Sequence, residues 1–399
     1  MPCTLALLAA AVVVASALPS APMTLTSPAS MVPLDVGIGC GRGAAYPTFP
    51  TVVTFVINQP AVDLLLVHFD FVKLPPGDFL TVAAVAQQGN TSSGTAKKIE
   101  TLTHSAVAPL FSLPLLHTSI AILELHVVAS HASIASCVGF HVDGVRTVVV
   151  DGNKIIQSDE SVCGGADDSK NAQCFDGSSM WTASKAVVRM VINRATESAF
   201  CTGWILGCGG HILTNQHCIT NADEAAATVF DFMAEGATCD TNCETQGSCA
   251  QRPFVRGATL VATSIDLDYS LVKLGENVPL DCGFLQFRAT GPVLHEDIYI
   301  PQHPMGFGKR VATMDGVRPG TITTLTLSGC AINQAGYMLD TQPGSSGAPV
   351  IATSDNKVVA LHHCGGCPNA GIQAQNLIRD MVAKGVLPPC AVGSTTKDE

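Results

Sequence analysis

The sequence is short of positive charge: 21 Lys and Arg stand against 32 Asp and Glu in 399 residues, a formal net charge of −11. Nucleic acid and anionic lipid are held through a basic footprint, so neither is an expected partner. Beyond its first 17 residues the chain also lacks an apolar run of the roughly 20 residues that a membrane-spanning helix needs. It has no internal repeat. The acidic residues gathered between Asp151 and Ser179 have no EF-hand spacing, so no metal or other cofactor is expected. What is abundant is apolar material, 47% of the chain, enough for two hydrophobic cores, and the length favours two domains.

The run Leu5 to Ala17 is apolar, uncharged and closed by Ala15-Ser16-Ala17, which reads as a secretory signal peptide over residues 1–17. Sixteen cysteines fit that compartment as cross-links. Loss of Cys3 with the leader leaves an odd 15, so at least one thiol stays free or pairs with another chain. The sequon Asn90-Thr91-Ser92 sits in a Gly/Ser-rich stretch and is a candidate glycan site, which would make this a secreted, extracellular glycoprotein.

Over residues 18–150 short apolar runs alternate with turn residues. Val67, Phe69 and Phe71 interleave with His68 and Asp70 as in a half-buried strand, and Pro75-Pro76-Gly77-Asp78 turns the chain before Phe79-Leu80-Thr81-Val82. This predicts an N-terminal β-sandwich, similar to small CUB-like extracellular modules, serving as a propeptide or accessory domain. Residues 151–182 have a polar linker composition, with Cys163 and Cys174 placed for a local disulfide. From 183 to 389 strands are expected at Ala186–Val191, Trp204–Leu213, Ser270–Leu274, Ile298–Ile300, Thr321–Leu327 and Val358–Leu361. One helix is expected over Gln375–Lys384, with Leu377, Ile378, Met381 and Val382 on one face and Gly385 past its end. The residues from 390 on read as a tail.

Three segments carry chemistry: Leu213-Thr214-Asn215-Gln216-His217-Cys218, Asp268-Tyr269-Ser270-Leu271-Val272, and Gly344-Ser345-Ser346-Gly347-Ala348-Pro349. Each alone has a bland reading, as a core histidine, a turn aspartate or a loop serine. Together, and in that order, they supply the base, acid and hydroxyl of a nucleophilic serine. Asp266 is the rival for the acid, and His211 is read as structural. An α/β-hydrolase elbow would need a glycine where Ala348 stands, with Asp and His after the serine; a subtilisin-like site would put Asp before His.

With Cys201-Thr202-Gly203-Trp204 upstream, these segments closely resemble chymotrypsin-like serine peptidases. Gln302-His303-Pro304-Met305-Gly306 and Gly-x-Ser-Gly-x-Pro resemble their glutamyl and lysyl endopeptidase branch. The resemblance covers residues 183–389 and implies an all-β, two-barrel chymotrypsin-like domain acting on protein or peptide substrates. It implies a Cys201–Cys218 disulfide, catalytic His217, Asp268 and Ser346, and an oxyanion hole from the N–H groups of Gly344 and Ser346. Ser345 replaces the aspartate that binds the new N-terminus in trypsin-like zymogens, and no Ile-Val-Gly-Gly start occurs, so activation by N-terminal insertion is not expected.

For the P1 residue, Asp340 holds the register of the acid at the base of the trypsin primary pocket, favouring Lys or Arg. Thr341 and His362 resemble the pair that binds substrate carboxylate in glutamyl endopeptidases. The run His362-His363-Cys364-Gly365-Gly366-Cys367 could hold zinc, but disulfides are the default for it and for Cys239, Cys243 and Cys249. Two other functions stay open: a catalytically idle homologue acting as a secreted binding protein, and a metal-binding protein.

Overall fold

The computed structural model describes residues 11–16, 30–41, 43–60, 62, 64–85, 96–103, 110–111, 118–131, 137–148, 162–163, 165–194, 198–250, 254–275 and 280–393. The sequon at Asn90 lies outside them. The chain forms two compact units, Met1–Lys154 and Ile155–Glu399.

The first unit is a sandwich. One sheet runs Ala11–Ser16, Thr51–Asn58, Ile120–Val127, Phe79–Val85, Ala96–Thr103. The other runs Ser30–Gly39, Gly139–Val148, Leu64–Lys73, Leu110–Phe111. Strict alternation along Ile120–Val127 turns Ala121, Leu123, Leu125 and Val127 inward, and they join Phe69 and Phe140 of the other sheet in one core. Val67 and Phe69 are buried as expected, but a register shift between Phe69 and Phe71 leaves Phe71 half-exposed and sends Val72 inside. The Pro-Pro-Gly-Asp turn closes through Asp78 N–H to the Pro75 carbonyl. The buried Asp78 carboxylate accepts from Tyr46 Oη and Val128 N, each at 2.8 Å, and lies 2.8 Å from His131 Nε2. Ala11–Ser16 falls inside the expected leader and pairs along one edge of Thr51–Asn58.

The second unit is the two-barrel chymotrypsin-like fold. Its seven-stranded sheet runs Phe254–Arg256, Val229–Asp231, Val187–Asn193, Ser198–Leu206, His211–Thr214, Tyr269–Leu274, Ala258–Ser264. Its eight-stranded sheet runs Lys170–Asn171, Arg310–Ala312, Ile298–Gln302, Pro349–Ala352, Val358–Cys364, Asn369–Gln373, Gln334–Tyr337, Ile322–Leu327. The single strand expected over Trp204–Leu213 is a hairpin, because Gly207 and Gly210 take positive φ and reverse the chain. The helix falls at Ala374–Ala383, burying Ala374, Leu377 and Met381, while Val382 faces solvent; Gly385 follows it with φ +67°. Two further six-residue helices, Ser179–Ser184 and Ala222–Ala227, begin at Ser178 and Asn221, whose side chains accept the N-terminal N–H bonds.

The region expected as a linker departs most from its reading. Residues 165–182 are folded into the second unit as a short strand, a 3₁₀ turn and a helix. No local bridge joins Cys163 to Cys174: they pair with Cys367 and Cys239. Cys201–Cys218, Cys208–Cys390, Cys243–Cys249 and Cys330–Cys364 complete the second unit's bridges, and Cys40–Cys137 closes the first. The free thiol among the described residues is Cys282, buried.

Candidate active site

His217 and Asp268 are brought together by strand register. His211–Thr214 pairs antiparallel with Tyr269–Leu274, Thr214 facing Ser270, so the residues after Thr214 and before Tyr269 leave the same end of the pair. There Asn215 Nδ2 donates to the Asp268 carbonyl at 2.8 Å, holding Asp268 in a left-handed conformation, φ +41°. Its carboxylate then meets His217 twice. Oδ1 accepts the His217 backbone N–H at 3.0 Å, and Oδ2 lies 2.8 Å from Nδ1. Asp266 is exposed in the preceding turn, and His211 is at the far end of its strand opposite Lys273.

Sequence reasoning missed a third contact. His363 is buried, with Nδ1 3.2 Å from Asp268 Oδ2 and Nε2 against Gln334 Oε1. The signal lies in the His362-His363 pair, whose run the sequence offers as a zinc candidate. Cys364 and Cys367 are both in disulfides, so neither offers a thiolate. Burial works against charge on Asp268, but the hydrogen bonds from His217 and His363, with the charge of His217, outweigh it and hold its carboxyl well below the usual carboxylate range.

The Ser346 backbone lies beside the Cys201–Cys218 disulfide, which also neighbours His217. A ring nitrogen of His217 lies within 4.8 Å of both bridge sulfurs, and Cys218 Sγ is 3.8 Å from the Ser346 carbonyl oxygen. The backbone N–H of Thr202, beside Cys201, donates to that same carbonyl at 2.9 Å. Glycines flank the serine for steric reasons: Gly344 has φ +97°, and a Cβ there would come within 2.8 Å of the His303 carbonyl. Gly347 has φ +90°, and a Cβ would sit 2.2 Å from the Thr202 carbonyl.

Asp340, expected at the base of the primary pocket, has both carboxylate oxygens engaged by backbone groups. It is 2% exposed, with Oδ1 accepting from Cys163 N at 2.8 Å and Oδ2 from Asp168 N at 2.7 Å. Both oxygens thus anchor the segment that Cys163–Cys367 also ties down. Burial raises its pKa; the two N–H donors work the other way, and Asp167 and Asp168 add repulsion. Thr341 is buried and its Oγ1 bonds no protein atom. His362 is fully buried, its Nδ1 2.7 Å from Tyr337 Oη, and its carbonyl accepts from Gly347 N at 3.0 Å. Burial first, then the neighbouring His363 and His217, push its pKa down to about 3, so it is a neutral imidazole.

The family model of the lysyl endopeptidase C-terminal domain matches residues 166–379. A curated relative, secreted RxLR effector protein 73 of Plasmopara viticola, is 40% identical over 375 residues, covering 89% of each chain. The active form of the Rv3671c protease from M. tuberculosis aligns at 16% identity and a TM-score of 0.41, over 58% of this chain and 93% of its own. The HtrA-type protease AlgW with a tripeptide aligns at 15% identity and 0.37, over 51% and 64%.

Proposed function

The chain belongs to the family of the lysyl endopeptidase C-terminal domain, and from that premise we propose that it is a secreted serine endopeptidase acting through Ser346, His217 and Asp268. The observation that carries the proposal is the two-point grip of Asp268 on His217, at 2.8 and 3.0 Å, beside the disulfide that also meets Ser346. A carboxylate at Nδ1 fixes the imidazole tautomer that leaves Nε2 to take a proton. Ser346 Oγ attacks the scissile carbonyl while His217 Nε2 accepts its proton. The N–H groups of Gly344 and Ser346 stabilise the oxyanion; His217 then protonates the leaving amine, and water hydrolyses the acyl-enzyme. Asp268, kept ionised, stabilises the imidazolium formed on the way.

Secretion is supported by the seven disulfides among the described residues and by the secreted relative. Residues 1–17 act as the leader, and the sandwich is a propeptide or accessory module. For P1, the family favours a basic side chain, and Asp340 would meet it only if the 163–168 segment gave way. The buried, unbonded Thr341 Oγ1 favours a second reading, a P1 carboxylate bound with His362.

A peptide-library digest with secreted protein tests both levels. Cleavage that disappears in Ser346→Ala is expected. Products ending in Lys or Arg that vanish in Asp340→Asn select the first P1 reading; products ending in Glu that weaken in His362→Ala select the second. No cleavage by the wild type, before or after removal of the N-terminal unit, would leave the secreted-binding-protein reading in its place.

A further inference from the structure

Every peptide from Pro343 to Ser346 has its carbonyl held. Pro343 O accepts from Met305 N, Gly344 O from Thr202 Oγ1 at 2.8 Å, Ser345 O from Ala348 N at 2.9 Å, and Ser346 O from Thr202 N at 2.9 Å. In a planar trans peptide the N–H points opposite to the C=O. Pinning the carbonyls of Pro343 and Ser345 therefore aims the N–H groups of Gly344 and Ser346 away from Met305 and Ala348. The Ser345 N–H, on the other side of the Gly344 carbonyl, is turned back to Gln342 O at 2.9 Å.

Three of these four pins are backbone groups, present whatever the side chain. The fourth is the hydroxyl of Thr202. Thr202 is fully buried on the strand Ser198–Leu206, and all its polar groups are engaged. Its Oγ1 spends its one proton on Gly344 O and accepts the His303 N–H at 3.0 Å. Its carbonyl accepts from Thr214 Oγ1 at 2.9 Å, three residues before His217. One side chain of the first barrel thus joins the His303–Gly306 turn to the serine loop of the second.

We infer that Thr202 is a positioning residue for the oxyanion hole: its hydroxyl holds the Gly344–Ser345 peptide, which lies between the two peptides that carry the Gly344 and Ser346 N–H donors and sets how those donors are placed relative to each other. This rests on the serine-peptidase reading. The hydroxyl touches no reacting atom. It acts through the loop, because without it a part-buried carbonyl and a buried N–H both lose their partner, and the Gly344–Ser345 peptide is held only by the Ser345 N–H on Gln342 O.

The test compares wild type, Thr202→Val and Thr202→Ser in the full secreted chain, on a peptide that the wild type cleaves. Valine keeps the shape and the backbone bond to Ser346 O but deletes both hydroxyl bonds. Its kcat should fall about 10- to 100-fold, short of the 10²–10³ that removing an oxyanion donor outright costs. KM should stay within about twofold, because uniform binding is untouched. Serine restores the hydroxyl and should recover kcat to within a few-fold, and it keeps the test open if the valine protein fails to fold. Equal kcat in wild type and valine, or serine as slow as folded valine, overturns the inference while Ser346→Ala still abolishes cleavage. A wild type that neither cleaves nor labels at Ser346 removes the reading beneath, and the clamp with it.

Discussion

The surroundings of Asp268, partly buried, and of Asp340, buried, set two carboxylates to opposite tasks. Burial disfavours the charge of both, yet the Asp268 carboxyl is pulled below its ordinary range and that of Asp340 is raised. The difference lies in the partners. Asp268 faces the charge and hydrogen bonds of His217 and a hydrogen bond from His363, whereas Asp340 has two backbone N–H donors and the like charges of Asp167 and Asp168. Asp268 has the electrostatics of a group that must stay ionised beside an imidazole. Asp340 has those of an anchor: it holds the ends of a segment, and its charge adds cost rather than stability.

The largest effect that would break this comparison is catalytic. Asp268→Asn should lower kcat by about 10⁴ with the fold retained, because the amide no longer specifies the tautomer of His217. Asp340→Asn should leave turnover of substrates with neutral P1 residues close to wild type; steady-state kinetics of both variants on one peptide gives the contrast. A comparable loss in the two would put both carboxylates in the reaction.

Next in size is stability. Asp340→Ala strands the buried N–H of Cys163 and the part-buried N–H of Asp168 and should cost about 2–4 kcal/mol, read from urea unfolding with the disulfides intact. No change would show that the Cys163–Cys367 bridge and the contacts of Asp167 and Asp168 with Gln342 and Gly316 hold the segment without Asp340.

The smallest effect is in pH dependence, and its sign differs between the two. Asp268 is depressed, so below about pH 4 the unfolded chain binds more protons, and its contribution is lost as pH falls through the folded value. Asp340 is raised, so between about pH 4 and its folded value the native state binds more protons and stability declines with rising pH. Unfolding free energies across pH 2–7 should show Asp268→Asn flattening the acid limb and Asp340→Asn flattening the decline above it.

The two aspartates also mark how far the sequence could be read. Asp268, His217 and Cys201–Cys218 were legible because the wording of their segments resembles a known family, although the strand pairing that brings His217 to Asp268 spans 51 residues. The role of Asp340 was not, since its partners sit 172 and 177 residues upstream in a stretch whose polar composition reads as a linker. Composition registers solubility, not whether a carboxylate far along the chain will gather two N–H groups. The same holds for Cys163 and Cys174, whose short spacing suggested a local bridge. Their partners Cys367 and Cys239 come from other parts of the fold. His363 lay in plain view beside His362, but its acceptor was knowable only from the packing of the strand Val358–Cys364 against the Asp268 turn. Among the elements, the helix at 374–383 and five of the six expected strands of the second unit fell within a few residues of expectation, while the remaining strands of its two sheets went unread. The hairpin at 207–210 was hidden because its glycines stand inside one long apolar run.

The most direct measurement is active-site labelling of the secreted protein by a fluorophosphonate, followed by mapping of the modified peptide. A nucleophilic serine predicts one adduct, on Ser346, strongly reduced in His217→Ala and absent in Ser346→Ala. Properly folded wild type that takes no label at Ser346, with or without its N-terminal unit, would contradict the account.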